Sequence, residues 1–144
     1  MNKPIMLDAG PLGRIAHPRP NPKILDWLTH LLDANAVIII PEIADYEVRR
    51  SLLLANLTKS VSRLDQLKEV LNYQPLSTAI MLKAAELWAQ ARKRGRPTAD
   101  PKELDGDVIL AAQALEANAV VATENVGHLA LFTAAKHWKD IVGT

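Results

Sequence analysis

Three short apolar runs interrupt a chain that is otherwise patterned for helices, and this alternation constrains the fold more than any other feature. Pro4 to Leu7, Ala36 to Ile40 and Ala119 to Ala122 each read as a buried strand, with turn residues or Pro41 at their ends. Between the first two, Ile24, Leu25, Leu28, Leu31 and Leu32 recur at helical spacing. A helix is expected from Glu42 to about Leu54, with Ile43, Ala44, Glu47, Val48 and Ser51 along one side, and a second amphipathic segment carries Val61, Leu64, Leu67 and Leu71. Ser77 can cap a helix bearing Ile80, Ala84, Leu87, Trp88 and Ala91 that stops at Gly95 and Pro97. Asp100-Pro101-Lys102-Glu103 offers a cap, a proline at the first helical position and an acid three residues after the cap, so another helix should run to about Ala117. The end, Ala134 to Val142, reads as a short strand or a packed tail. Strands alternating with helices in this order predict one α/β domain over residues 1–144 with a mainly parallel sheet. Ligand sites in such folds lie beyond the carboxyl ends of the strands.

Composition narrows the chemistry. Of the 144 residues, 49% are hydrophobic and 23% charged, which suits a folded domain rather than a disordered chain. No apolar run approaches the ~20 residues of a membrane span, and Met1-Asn2-Lys3-Pro4 lacks a signal-peptide core, so a cytoplasmic protein without a membrane partner is expected. With no cysteine, thiolate catalysis and cysteine zinc sites are excluded, and any metal must sit on oxygen or imidazole. A net charge of +1 means that a nucleic-acid partner would be met by a local patch.

The acids carry the functional signal. Asp8 lies just past the first strand and Thr123-Glu124-Asn125 just past the third, so both open onto the edge where a site is expected; Asp8 could also be a turn residue before Gly10 and Pro11. Glu47 shares a stripe with Ile43 and Ala44 and is turned inward, where a carboxylate needs a metal, a cation or a wet cavity; Arg50 is the alternative ion-pair partner. Asp107 sits among Leu104, Val108, Ala111 and Leu115 and also points inward. Clustered carboxylates repel unless something positive lies between them, and a divalent cation is the simplest candidate. Asp105 would lie roughly 200° around a continuous helix from Asp107; a helix beginning at Gly106 would instead make it a cap able to lean into the site. Oxygen ligands favour Mg²⁺ or Mn²⁺ over zinc, and such a site suits phosphodiester hydrolysis. His17, His30, His128 and His137 are scattered and read as surface or packing residues.

Taken together, Leu7-Asp8-Ala9-Gly10-Pro11-Leu12, Tyr46-Glu47-Val48-Arg49-Arg50, Asp107 to Ala114, and Val121 to Asn125 with His128-Leu129 resemble the PIN-domain ribonucleases, and within them the VapC-type toxins. The resemblance implies a three-layer α/β/α sandwich whose acids gather at one end of a parallel sheet and bind Mg²⁺ or Mn²⁺, in a metal-dependent endoribonuclease acting as the toxin of a type II toxin-antitoxin system. Asp8, Glu47 and Asp107 match the first three family acids; Asp105 enters only through its own position, as a helper at the metal or equally as a helix cap. His128 stands where many members carry an aspartate. Asn125 and Thr123 match a polar pair that would position water or a phosphate; for Thr123 a strand-to-loop turn is the equal alternative. A cognate antitoxin and a homodimer are the implied partners.

RNA would need cations nearby. Arg92, Lys93, Arg94 and Arg96 form the densest basic run, with Arg50 beside Glu47 as a substrate contact, although basic residues in a last helical turn also complement the helix dipole. Two competing readings remain at this level. One is a domain of the same architecture that binds RNA or protein without turnover. The other is a phosphatase with Asp8 as nucleophile, which usually has a second aspartate where this chain has Gly10.

Overall fold

The computed structural model describes residues 2–94 and 101–142. β1 (Ile5–Leu7) runs directly into α1 (Ala9–Ala16), and α2 (Pro22–Asp33) returns the chain to β2 (Ile38–Pro41). α3 (Glu42–Leu54) and α4 (Thr58–Val70) lead to β3 (Asn72–Gln74), then α5 (Thr78–Lys93) and α6 (Pro101–Ala117) to β4 (Val120–Thr123). α7 (Val126–Leu129) leads to β5 (Ala135–His137), which ends in one 3₁₀ turn at Trp138–Asp140. The strands form one sheet in the order β3-β2-β1-β4-β5, and every pairing is parallel.

This order positions the site. From the central β1 the chain builds β2 and β3 to one side, then β4 and β5 to the other, so β1 and β4 flank the place where strand order reverses. In open sheets of this kind the helices diverge at such a point, and ligand sites lie beyond the carboxyl ends of the flanking strands. The register sets Leu7 opposite Ala122, which brings Asp8 level with the residues that follow.

The strand period of two divides the core. Ile5, Leu7, Ile38 and Ile40 face one side and pack with Leu12, Ile15, Ile24, Leu31, Val48 and Leu64 from α1 to α4. Met6, Ile39 and Val121 face the other, against Leu110 and Ala114 of α6 and Leu129 of α7. α6 is covered on a second side by α5, where Ile80, Ala84 and Leu87 meet Val108, Ala111 and Ala112. The small alanines of α6 let the sheet and α5 approach it from both sides. The result is the three-layer α/β/α sandwich expected from the sequence. Truncating a core leucine such as Leu110 would cost about 2–5 kcal/mol.

Helix ends follow local rules. Asn35, Asn56 and Asn118 adopt φ of 62°, 58° and 50° just past α2, α3 and α6. Each sits in a double-bonded stop, such as Ala119 N to Ala114 O (2.9 Å) with Asn118 N to Leu115 O (3.2 Å). Asparagine tolerates this left-handed conformation better than other residues with a side chain.

Several expectations are corrected. Asp8-Ala9-Gly10-Pro11 is not a free turn: Asp8 caps α1, with its side chain accepting from the Ala9 amide, and Gly10 and Pro11 fall in the first helical turn, where proline removes only an orphan donor. β3 and α7 were not anticipated, and Leu71 follows α4 rather than belonging to it. Ser51 and Leu115 are exposed, so neither belongs to an inward stripe. The Gly95 and Pro97 stop, Arg96 and the Asp100 cap lie outside the described residues, as do the Glu103 and Leu104 side chains. Among the described residues, no helix is long and apolar enough to cross a membrane.

Candidate active site

Three elements bring carboxylates toward the carboxyl ends of β1 and β4: the β1–α1 junction with Asp8, α3 with Glu47, and the early turns of α6 with Asp107. Asp8 is the most tightly held. Its Oδ1 accepts from the Ala9 amide at 2.7 Å and its Oδ2 from the Thr123 hydroxyl at 2.7 Å. Thr123 Oγ1 in turn accepts from the Asn125 amide at 2.9 Å. Thr123 is fully buried and both its hydrogen-bonding roles are taken, so it stands behind Asp8 rather than facing a substrate, contrary to the contact expected from sequence. It orients the carboxylate.

Glu47 is half-buried on α3, one turn beyond Ile43. α6 approaches it closely at Gly106, where a Cβ would lie 3.4 Å from Glu47 Oε2, in ordinary contact but filling the space beside the carboxylate. Asp107 follows at the next position of α6. His128 Nδ1 lies 3.7 Å from Asp107 Oδ2 and 3.2 Å from Asn125 Nδ2, so α7 closes the site through an imidazole and an amide. His128, expected from sequence to be a surface or packing residue, is partly exposed and lies beside Asp107, three residues after Asn125.

The acids sense one another. Burial raises the Asp8 carboxyl above its usual range, opposed by the Thr123 and Ala9 hydrogen bonds and reinforced by the charge of Glu124. Burial also raises Glu47, and the charges of Asp8 and Asp107 add to it, while Arg50 opposes. Among the described residues no ion pair within 4 Å reaches Asp8 or Glu47. Arg50 is exposed, its guanidinium carbon 5.1 Å from the centre of the Tyr46 ring.

Asp105 stands apart. α6 begins at Pro101 and runs unbroken, so Asp105 is neither a cap nor on the side of Asp107. It is exposed and lines a groove with Met81, Ala84, Trp88 and Val108 between α5 and α6. The expected helper role at a metal is not what its position supports.

A rim pair escaped the sequence reading. Arg14 on α1 grips Glu124 through Nε to Oε1 and Nη2 to Oε2, the latter at 2.8 Å. The Arg14 hydrogen bond holds the Glu124 carboxyl below its usual range, with burial opposing. Glu124 lies over the first turn of α1, 3.5 Å from where a Gly10 Cβ would be, an ordinary contact distance.

The donor set fits a hard divalent cation: carboxylate oxygens on three elements, partly desolvated, with mutual repulsion that a cation would relieve. Among the described residues no three acidic or imidazole groups converge as a preformed metal cluster.

Comparison with known proteins agrees with this geometry. The PIN domain family model matches residues 5–130. A search of curated proteins finds no match. Among solved structures, FitAcB from Neisseria gonorrhoeae is similar with a TM-score of 0.73 and 21% identity, covering 95% of this chain and 99% of that one. VapBC2 from Rickettsia felis, bound to a DNA fragment from their promoter, gives a TM-score of 0.76 at 19% identity, covering 93% and 98%. VapBC-1 from nontypeable Haemophilus influenzae gives 0.71 at 21%, covering 94% and 98%. At these identities the similarity concerns the fold, whereas the family match spans most of the sequence and includes Asp8, Glu47, Asp107 and Asn125. The chain belongs to the PIN domain family.

Proposed function

We propose that this protein is a Mg²⁺- or Mn²⁺-dependent endoribonuclease and the toxin of a type II toxin-antitoxin pair. One observation carries the reading: Asp8, Glu47 and Asp107 are partly buried carboxylates from three elements, and the charges of Asp8 and Asp107 raise Glu47 further above its usual range. Desolvated acids left in mutual repulsion cost stability and serve a site that binds positive charge.

In this reading Asp8, Glu47 and Asp107 hold the cation. The chemistry it supplies when bound is charge compensation at the phosphodiester and Lewis acidity toward water. Thr123 and the Ala9 amide fix the Asp8 carboxylate. Asn125, exposed at the start of α7, offers amide donors to a phosphate oxygen, and Arg50 offers a guanidinium beside Glu47. Hydrolysis adds water across one phosphorus–oxygen bond, with the proton passing to the departing ribose oxygen.

The motif resemblance to VapC-type toxins supports a cognate antitoxin and a homodimer, and an RNA substrate suits a cytoplasmic protein. The similar solved chains bear the names VapBC and FitAcB.

The test is cleavage of a mixed RNA pool by purified protein in Mg²⁺, Mn²⁺ or EDTA. Metal-dependent cleavage lost in folded Asp8→Asn and Asp107→Asn supports the nuclease. Intact protein that binds RNA and cuts none with any metal would leave a binding module instead.

A further inference from the structure

The connection between α1 and α2, residues 17–21, carries Pro18 and Pro20 and walls a cleft. This cleft, of ≈ 600 Å³, is lined by Arg14, His17, Arg19, Pro20, Asn21 and Pro22. Its shape is set by backbone bonds: the Arg19 amide donates to His17 Nδ1 (3.0 Å), and the Lys23 amide to Asn21 Oδ1 (2.8 Å). Arg63 of α4 donates from Nη1 to the His17 carbonyl at 3.1 Å. Since His17 Nδ1 accepts, the ring proton is on Nε2, leaving a donor there.

The charge of the cleft has one sign. No carboxylate lines it, and among the described residues none pairs with the Arg19 guanidinium. Arg14 belongs to two places: it lines the cleft, and it is held by Glu124, whose charge is felt at Asp8. The bonds to Glu124 use Nε and Nη2, so Nη1 remains for another acceptor. The cleft thus opens from the rim of the carboxylate site.

We propose that this cleft is a subsite for the RNA backbone, taking phosphates that flank the scissile one, with Arg14 and Arg19 as positioning residues. The inference rests on the ribonuclease reading. A strand whose reacting phosphate lies by Asp8 must continue past the rim, and guanidinium forks match phosphate geometry. Phosphate contacts set register without reading sequence. An acidic segment of a protein partner is the other occupant such chemistry would admit, and it makes no demand on RNA binding.

The experiment is fluorescence anisotropy of single-stranded U and A decamers with full-length Asp107→Asn protein, titrated in Mg²⁺ over a range of salt. Adding Arg19→Ala should weaken binding about fivefold for both sequences and lower the slope of log affinity against log salt by about 0.7. Arg14→Ala with Arg19→Ala should lower it by about 1.4. Lys3→Ala, before β1 at the opposite end of the sheet, should leave the slope unchanged. Arg19 is exposed, so its removal does not threaten folding. A slope unaltered by Arg19→Ala, in protein that binds RNA and whose unsubstituted form cleaves it, overturns the subsite and spares the nuclease. No RNA binding by any form overturns both.

Discussion

Asp45 and Glu47 stand two residues apart on α3 and live in opposite electrostatic worlds. Asp45 is only 6% exposed, yet every side of it is satisfied. Arg49 reaches Oδ1 at 3.0 Å, while Lys68 and the Tyr73 hydroxyl reach Oδ2 at 3.1 and 3.3 Å. Burial, followed by the Asp45 and Glu42 charges, raises the Tyr73 hydroxyl and keeps it a donor. Glu47 is less buried but has carboxylates for neighbours and one exposed arginine nearby. The first acid is neutralised by its own chain and fastens α3 to α4 and β3. The second is left in want of positive charge. An inward acid is therefore not evidence of function until its neutralising partners have been counted.

Breaking the two sites should have separable consequences. The largest effect is expected at the carboxylate site: Asp8→Asn or Asp107→Asn lowers RNA cleavage about a thousandfold, while the protein stays folded at the assay temperature by thermal unfolding. Asp45→Asn does the reverse. Leaving Arg49 and Lys68 without their shared partner costs about 2 kcal/mol, discounted from the fully buried case because both cations are partly exposed. Chemical denaturation would show this, with cleavage well below the midpoint kept within about twofold.

A smaller effect sharpens the contrast. Thr123→Val removes the hydrogen bond that favours ionised Asp8, so Asp8 rises further and metal affinity falls about tenfold, measurable by calorimetry. The smallest concerns pH. Glu47 takes up protons more readily in the folded chain, so its contribution to stability is complete below the usual carboxylate range and lost as pH rises through its raised folded value. Glu47→Gln should therefore leave the metal-free protein about 1–3 °C more stable at neutral pH. That gain should vanish in acid, and melting curves across pH would detect it.

Sequence periodicity carried the layers and the principal acids, because buried strands and amphipathic helices write their period into the chain. Glu47 and Asp107 were legible as acids at positions where an apolar residue was due, and Asp8 by its place just past the first strand. Asp45 was not: it sits on the same buried side, but its cations come from Arg49 one turn on and from Lys68 on another helix. Arg14 and Glu124 are separated by most of the chain, and no local pattern joins them. β3 was hidden because an edge strand of Asn72, Tyr73 and Gln74 lacks the apolar run that marks a buried one. α1 was hidden because Gly10 and Pro11, normally signals of a turn, are harmless in a first helical turn. The start of α6 decided Asp105, since an unbroken helix turns it away from Asp107.

The central claim is that the carboxylates gathered beyond the strand ends, and not Asp45 with its own cations, hold the cation. Titration of Mn²⁺ into the metal-free protein, beside Asp8→Asn, Asp107→Asn and Asp45→Asn, tests it directly. The account predicts saturable binding by the parent and by Asp45→Asn, weakened about 10- to 100-fold in the other two. Equal binding by all four, or loss confined to Asp45→Asn, would contradict it.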